Sequence, residues 1–318
     1  MKLPQLKIAN LTAQLPIIQG GMAVRVSTGA LAGAVAATGA VGVIGASGMA
    51  FDELAKEIKI AREQAKGGIV GANIMFAARE FVGLVATAIK EKIDFITSGA
   101  GYSRDLFKMG LSAGVPIVPI VSSARLAQMA QKDGASAIVV EAKEAGGHLG
   151  TDRPIRELFP EVKQAVKGIP VIAAGGIIDG RDIVEIMKMG ADGVQMATRF
   201  VLSEECNVPK AFKEVYQRAK KEDVILISSP VGLPGRALRT ALSEKILKHQ
   251  APKPEGCDYC LKKCSLEYCI VQALIKAQQG DVEHGVVFSG EHVYKIKDRS
   301  IKPAAKIIEE LVKEVEAL

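Results

Sequence analysis

The 318-residue sequence contains no tryptophan, and aromatic residues make up only 4% of it. The net charge of +6 is modest, and no cluster of lysine and arginine alternates with aromatic residues. Proteins that bind nucleic acids depend on such basic surfaces and on stacking side chains, so no nucleic-acid partner is expected. A small excess of positive charge instead favours an anionic small-molecule substrate or cofactor.

Cysteine is also scarce: residue 206 is one, and four more lie between residues 257 and 269. This is not the spacing of a secreted disulfide framework, and the first residues lack the apolar run of a secretion signal. The uncharged run at residues 29–50 consists mainly of glycine and alanine. We interpret it as a buried helix and a buried strand rather than a membrane span. These features predict a cytoplasmic protein with no membrane partner.

The first two hundred or so residues alternate between short apolar segments and amphipathic ones. Apolar segments without polar alternation are typical of parallel strands that helices cover. Eight such segments favour a TIM (β/α)8 barrel. A doubly wound sheet also uses strand–helix units, but no Gly-x-Gly-x-x-Gly motif follows the first strand. The predicted strands are Pro16–Ile18, Val41–Ile44, Ile69–Ile74, Phe95–Thr97, Pro116–Val121, Ala137–Glu141, Pro170–Ala174 and Gly193–Ala197.

The alternation ends near Phe200. Beyond it the sequence predicts helices at residues 209–221 and 302–318, a Gly/Pro-rich loop at 228–239 and a short β-like segment at 285–294. We therefore predict a barrel core at residues 1–205, with a C-terminal, mostly helical extension at residues 206–318 that packs on it.

In TIM barrels the turns that follow the strands share one face, and active sites form there. Glycines in these turns expose backbone N–H groups and let a flat ring lie against the chain. The turns after the seventh and eighth strands are the usual phosphate site. A flat, phosphate-bearing cofactor such as FMN fits, with Ser98 and Ser122 nearer the substrate. The expected cofactor contacts are Gly20, Gly21, Met22, Asn73, Glu141, Gly147, Ala174, Gly175, Gly176, Gln195, Met196, Ala197 and Thr198.

Four segments in order resemble the nitronate monooxygenase family, formerly called 2-nitropropane dioxygenases, which includes FMN-dependent enoyl-acyl-carrier-protein reductases. They are residues 16–22, 144–150 (Glu-Ala-Gly-Gly-His-Leu-Gly), 173–177 and 193–200, within a resemblance that extends to about residue 245. The resemblance implies an FMN-binding TIM barrel with His148 as its active-site histidine. One departure is Ala142, where the family often has glycine.

His148 follows two glycines on a predicted active-face turn. A histidine titrates near neutral pH, so His148 can take or give a proton during turnover, although many histidines are only structural. The other three, His249, His284 and His292, lie outside the predicted barrel, and we interpret them as surface or packing residues.

Two features of the extension carry further hypotheses. Arg236 lies in a segment, residues 232–239, that resembles one near the substrate entrance of the family, and its guanidinium can bind an anion. The alternative is an exposed loop. Four closely spaced cysteines can form a zinc or iron–sulfur site. We favour reduced or disulfide-bonded cysteines and predict no metal. These cysteines are Cys257, Cys260, Cys264 and Cys269.

The sequence thus predicts an FMN-dependent oxidoreductase, with nitronate monooxygenase activity as the first candidate: alkyl nitronate and O₂ would give a carbonyl compound and nitrite. NAD(P)H-dependent reduction of an enoyl thioester is a close second, and NADH:quinone reduction fits the same site. An inosine-monophosphate-dehydrogenase type of barrel is disfavoured because no cysteine precedes residue 206. A non-enzymatic flavin-binding barrel is the weakest alternative, and a homodimer is compatible with all of them.

Overall fold

The structure, a computed structural model, describes residues 1–318. Its strands are β1 (Leu6–Ile8), β2 (Leu11–Ala13), β3 (Ile17–Gln19), β4 (Val41–Gly45), β5 (Ile69–Asn73), β6 (Phe95–Ser98), β7 (Ile117–Val121), β8 (Ile138–Glu141), β9 (Gly147–His148), β10 (Val171–Ala174), β11 (Gly193–Met196), β12 (Val224–Ile227), β13 (Gly235–Leu238) and β14 (Val287–Phe288). Its α-helices are α1 (Gly29–Ala36), α2 (Phe51–Ala65), α3 (Phe81–Lys90), α4 (Arg104–Ala113), α5 (Ala124–Lys132), α6 (Ile155–Ala165), α7 (Gly180–Lys188), α8 (Lys210–Arg218), α9 (Ala241–Leu247), α10 (Ile270–Gln278) and α11 (Ala304–Glu316).

Strands β3 to β8, β10 and β11 are parallel neighbours, and pairing of β11 with β3 closes them into a barrel. The predicted TIM barrel is therefore confirmed, and each barrel strand lies within one residue of its predicted bounds at both ends. The uncharged run at residues 29–50 forms α1 and β4. No helix is both long enough and apolar enough to cross a membrane.

Apolar side chains pack on both sides of the barrel wall, which explains why the strand sequences show no polar alternation. The hairpin of β1 and β2 closes the amino-terminal end of the barrel, because Leu6 and Ile8 join the same buried cluster as the interior residues Ile18, Val43 and Phe95. The opposite end of the barrel, where the strands finish, is not covered by this hairpin, and it is the end at which TIM barrels form their active sites.

Helix α11 packs between α7 and α1 and so completes the ring of helices around the barrel. A carboxylate oxygen of Glu314 in α11 accepts a hydrogen bond from the N–H of Gly180 at 2.7 Å. The last helix of the chain thus belongs to the barrel layer, although residues 203–303 separate it from the last barrel strand and its 3₁₀ turn at Thr198–Leu202. The boundary at residue 205 remains a prediction.

The extension contains a small antiparallel sheet as well as the expected helices. Strand β13 pairs with β12, β14 and the short strand β9, which belongs to the long turn after β8. β13 lies inside the segment 228–239 for which the sequence predicts a loop, and that prediction is wrong for Gly235–Leu238. This sheet joins the extension to the barrel loop that carries His148.

Candidate active site

A cavity of about 290 Å³ lies at the end of the barrel where the strands finish. The turns after the barrel strands form one side and the extension forms the other, and 24 of its 42 lining residues are hydrophobic. His148 and all the expected cofactor contacts line it: Gly20, Gly21, Met22, Asn73, Glu141, Gly147, Ala174, Gly175, Gly176, Gln195, Met196, Ala197 and Thr198.

Two serines that the sequence places near the substrate are not part of this lining. Ser98 ends β6 and is buried. Ser122 lies against Gly150, where a Cβ would stand 2.7 Å from the serine Oγ. On the turn after β6, Gly99 and Ala100 line the cavity instead.

Arg236 also lies outside the cavity lining, because its side chain is held within the protein. Its Nη2 donates to the carbonyl oxygen of Lys143 at 2.7 Å, and the same nitrogen lies 3.3 Å from a carboxylate oxygen of Glu291. Burial lowers the pKa of Arg236, and the charges of Glu291 and Glu144 oppose that shift. The guanidinium therefore ties β13 to the turn after β8, and it is not part of the surface that a substrate in the cavity would meet.

Gly175, Gly176, Thr198 and Gly290 form what we call the phosphate corner of the cavity. Gly175 and Gly176 have φ angles of +104° and +76°, which L-residues rarely adopt. Their backbone N–H groups have no acceptor within the chain. The Thr198 hydroxyl accepts from the N–H of Gly290 at 2.9 Å and keeps its own proton to donate. These groups suit the oxygens of a phosphate monoester.

His148 is held in place from two sides. Its Nε2 lies 2.8 Å from the hydroxyl oxygen of Ser229, and the ring of Phe288 meets it edge-on with centroids 5.1 Å apart. Burial lowers the pKa of His148 to about 4. The imidazole is therefore neutral at neutral pH, with one nitrogen able to accept a proton and the other carrying one.

Glu141 supplies a second titratable group on the cavity wall. It ends β8, and burial alone raises the pKa of its carboxyl to about 7. A carboxyl with this pKa is present in both protonation states at neutral pH, so it can donate a hydrogen bond or a proton as well as accept one.

The cavity lining contains no lysine and no arginine. Its only acidic side chains are Glu141 and Glu144, and the Glu144 carboxylate already accepts a hydrogen bond from the Ile155 N–H at 3.1 Å. Two histidines, His148 and His292, complete the set of nitrogen-bearing titratable side chains in the lining. A bound anion therefore has no lysine or arginine to pair with and must depend on backbone N–H groups, neutral donors such as the Thr198 hydroxyl, and these imidazoles.

The family model described as "Nitronate monooxygenase" matches residues 5–79 and 60–314 of this chain. The chain belongs to the nitronate monooxygenase family. It is accordingly an oxidoreductase of that family.

Named relatives within this family differ in their activities. A (3aS,4S,5R,7aS)-5-hydroxy-7a-methyl-1-oxo-octahydro-1H-indene-4-carboxyl-CoA dehydrogenase of Mycobacterium tuberculosis is 34% identical over 235 residues, which are 73% of this chain. The match spans 65% of that relative, just under two thirds of its length. A "Probable nitronate monooxygenase" of Staphylococcus aureus is 26% identical over 290 residues, covering 77% of this chain and 81% of the relative.

Among solved structures, FabK from Thermotoga maritima superimposes with a TM-score of 0.86 at 35% identity, covering 96% of this chain and 94% of FabK. This superposition extends the similarity over the C-terminal extension as well as the barrel. In this nitronate monooxygenase family protein, the extension is thus part of the architecture shared with FabK.

One side of the cavity in this family member comes from residues that the sequence did not indicate. We call this side the apolar wall; it consists of Val231, Leu261, Ile270, Val271, Leu274 and Val286. The i, i+4 spacing of Ile270 and Leu274 does indicate an apolar face of α10. The sequence does not show what this face of α10 covers, because the barrel turns on the other side of the cavity lie far from α10 along the chain.

The interpretation of His292 as a surface or packing residue is incomplete, because this residue lines the cavity. Its Nδ1 lies 2.9 Å from the carbonyl oxygen of Gly176 in the phosphate corner. A lone histidine about one hundred residues beyond the barrel strands carries no sequence signal for this position. The prediction holds better for His284, which is exposed and pairs with Asp281 at 2.8 Å.

The four clustered cysteines are free, and nowhere in the structure do three or more His, Cys, Asp or Glu side chains form a group suited to a metal ion. Cys257 and Cys264 are exposed. Cys260 lines the cavity beside the apolar wall, and burial raises the pKa of its thiol. The segment is anchored to the turn after β5, where the N–H of Arg79 donates to the Cys260 carbonyl at 2.9 Å.

Proposed function

We propose that this protein is an FMN-dependent oxidoreductase whose organic substrate is uncharged where it meets the flavin. An α,β-unsaturated acyl thioester is the leading substrate class. The observation that carries the proposal is the cavity itself, which joins a phosphate corner, a neutral histidine and an apolar wall without any lysine or arginine.

The fit to FMN rests on groups that the chain leaves unused. The N–H groups of Gly175 and Gly176 have no acceptor, and the side chain of Thr198 keeps a donor, so all three are available to a phosphate. Gly21 lies so close to Asn73 that an added Cβ would stand 2.4 Å from the asparagine Cβ. Glycine at this position therefore lets the turn after β3 pack against Asn73, which keeps both residues on the cavity wall. Bound FMN would supply hydride and single-electron chemistry that no side chain provides.

The electrostatics of the cavity favour a neutral substrate over an anionic one. A nitronate carries a full negative charge, and burying it beside Glu141 without a cation is costly. A thioester carbonyl is neutral, and a hydrogen bond from His148 can polarise it. Ser229 fixes the orientation of that imidazole. The name of the M. tuberculosis relative, a carboxyl-CoA dehydrogenase, supports a thioester.

The apolar wall supports the same class of substrate. Leu261, Ile270 and Leu274 line the cavity where an acyl chain could lie. Burial of each methylene contributes about 0.8 kcal/mol to binding. A small nitroalkane would leave this surface uncovered.

Nitronate oxidation is the second candidate function. The neutral state of His148 favours the version of this reaction that starts from a neutral nitroalkane rather than from a preformed nitronate. An imidazole with a pKa of about 4 is unprotonated at neutral pH and can accept the α-proton of an uncharged nitroalkane. The resulting anion would then lie beside the newly formed imidazolium. The S. aureus relative supports this alternative.

The decisive experiment compares the two activities on the same flavin-loaded protein. Anaerobic NADH or NADPH should reduce the flavin, and crotonyl thioester should then reoxidise it with formation of butyryl thioester. Oxygen uptake with propane-2-nitronate is measured in parallel. Faster turnover with nitronate, or no reoxidation by any enoyl thioester, would replace the leading proposal with the second. A protein that binds no FMN would refute both.

A further inference from the structure

We infer that His292, contributed by the extension, binds the phosphate of the flavin through its Nε2. The inference rests on the proposed function, because it needs a phosphate-bearing cofactor in the cavity. It goes beyond that function by assigning a phosphate ligand to a residue outside the barrel.

The first step concerns the tautomer of His292. Its Nδ1 lies 2.9 Å from the carbonyl oxygen of Gly176. A carbonyl oxygen can only accept a hydrogen bond, so Nδ1 must carry a proton. Nε2 has no partner within the chain, and it is the nitrogen that remains for a ligand.

The second step concerns position. A Cβ built on Gly176 would stand 3.1 Å from Nδ1 and 3.2 Å from Cε1 of His292, so the imidazole lies directly against the phosphate corner. Gly176 is also one of the residues whose N–H is free. A ligand that accepts from that N–H would lie next to the imidazole.

The third step concerns rigidity. The N–H of Gly290 donates to the Thr198 hydroxyl at 2.9 Å, and the N–H of Glu291 donates to the carbonyl oxygen of Glu144 at 2.9 Å. These bonds attach the residues just before His292 to the turns after β11 and β8. The imidazole is therefore held in place before any ligand arrives, which lowers the entropic cost of the contact.

The fourth step concerns charge. When Nε2 donates to an oxygen of the phosphate dianion while Nδ1 donates to the Gly176 carbonyl, both ring nitrogens carry protons and the ring is an imidazolium. No lysine or arginine lines the cavity, and burial keeps His148 neutral. His292 is thus the one lining side chain left to balance a phosphate dianion.

The acidic groups around His292 are compatible with this charge. Asp182 of α7 interacts electrostatically with His292: burial raises the pKa of the Asp182 carboxyl, and His292 acts in the opposite direction. On the turn after β8, Glu144 is bound to the Ile155 N–H, and the adjacent Glu291 pairs with Arg236. The aromatic ring of Tyr294 lies edge-on to the imidazole at 6.5 Å.

The test measures dissociation constants of FMN and riboflavin, which differ only in the phosphate, by quenching of flavin fluorescence. His292→Ala should weaken FMN binding about 10- to 100-fold, the value of one charge-assisted hydrogen bond. Riboflavin binding should stay within about twofold, which also shows that the cavity is intact. His284→Ala, an exposed histidine, is the matched control, and it should leave both constants unchanged.

An equal loss of FMN and riboflavin affinity in His292→Ala would overturn the inference, because it would mean that the imidazole only supports the Gly176 turn. Unchanged FMN affinity would also overturn it. If the wild-type protein binds neither flavin, the proposed function fails and takes this inference with it. If the wild type binds FMN and the affinity ratio of the variant is unchanged, only the inference fails.

Discussion

The imidazole of His148 and the hydroxyl of Ser229 share a hydrogen bond, with 2.8 Å between Nε2 and Oγ. The two residues are 81 positions apart in the sequence. His148 lies on the turn after β8, whereas Ser229 lies in the extension, in the connection between β12 and β13. Pairing of β9 with β13 brings them together, so the extension helps to orient the candidate catalytic residue of the barrel.

Replacing His148 with alanine should lower turnover about 100-fold or more, which is the usual contribution of a positioned proton-transfer group. FMN affinity should change little, because the phosphate corner and the flavin-facing glycines remain. Stopped-flow flavin reoxidation and fluorescence titration measure the two quantities separately. Turnover equal to that of wild type would reject a chemical role for this histidine.

Replacing Ser229 with alanine should have a smaller effect of the same kind. The imidazole keeps its packing against Phe288 but loses the partner of Nε2, so we expect turnover to fall about tenfold. Ser229→Thr keeps the hydroxyl and should restore most of the activity. A Ser229→Ala enzyme that turns over as fast as wild type would show that packing alone orients the ring.

Glu141 should make stability depend on pH in the flavin-free protein. Burial raises the pKa of its carboxyl from 4.5 to about 7, so the folded protein holds this proton more tightly than the unfolded chain. Tighter binding of this proton contributes about 3 kcal/mol to the free energy of unfolding. The contribution is fully present below pH 4.5 and is lost as the pH rises to about 7. Urea denaturation at both ends of this range measures it.

Glu141→Gln provides the matched comparison, because glutamine has the same shape and does not titrate. His148 acts in the opposite sense, since its lowered pKa removes stability as the pH falls from 6.5 to about 4. This contribution is present in both proteins and cancels in their difference. The difference in unfolding free energy between Glu141→Gln and wild type should grow with pH. A constant difference would contradict the raised pKa.

Arg236 should prove structural. Arg236→Gln removes a buried guanidinium that binds the Lys143 carbonyl and the partly exposed Glu291 carboxylate, so we expect a loss of about 2 kcal/mol in unfolding free energy. The control is Arg239→Gln, an exposed residue paired with Glu244, whose cost should stay under about 1 kcal/mol. Unchanged stability together with a raised KM would instead support the substrate contact that the sequence suggested for Arg236.

The sequence was sufficient for the barrel because its strands are marked locally, by apolar segments that end in glycine-rich turns. Residues such as Gly176 and Gln195 could be placed on one face from strand order alone, and they line one cavity. The expectation that they contact FMN remains a prediction.

The extension was harder to interpret because its contacts are long-range. β13 occupies a segment rich in glycine and proline, and it becomes a strand only through pairing with β9, β12 and β14. The sequence suggested a substrate contact or an exposed loop for Arg236, because nothing in it reveals Glu291 as the partner of this residue. His292 reaches the phosphate corner only through the fold of the segment after β14.

The apolar wall should determine how long an acyl chain the enzyme accepts. Leu274→Phe adds volume on the cavity face of α10, so the KM for an eight-carbon enoyl thioester should rise about tenfold, while the KM for crotonyl thioester should change less than about twofold. Steady-state kinetics with both substrates tests this, and Leu266→Phe, at a leucine that is 50% exposed and not part of the wall, controls for added aromatic bulk. An equal rise for both substrates would mean that Leu274 lies beside the reacting end. No rise for either would mean that the chain leaves the cavity by another route.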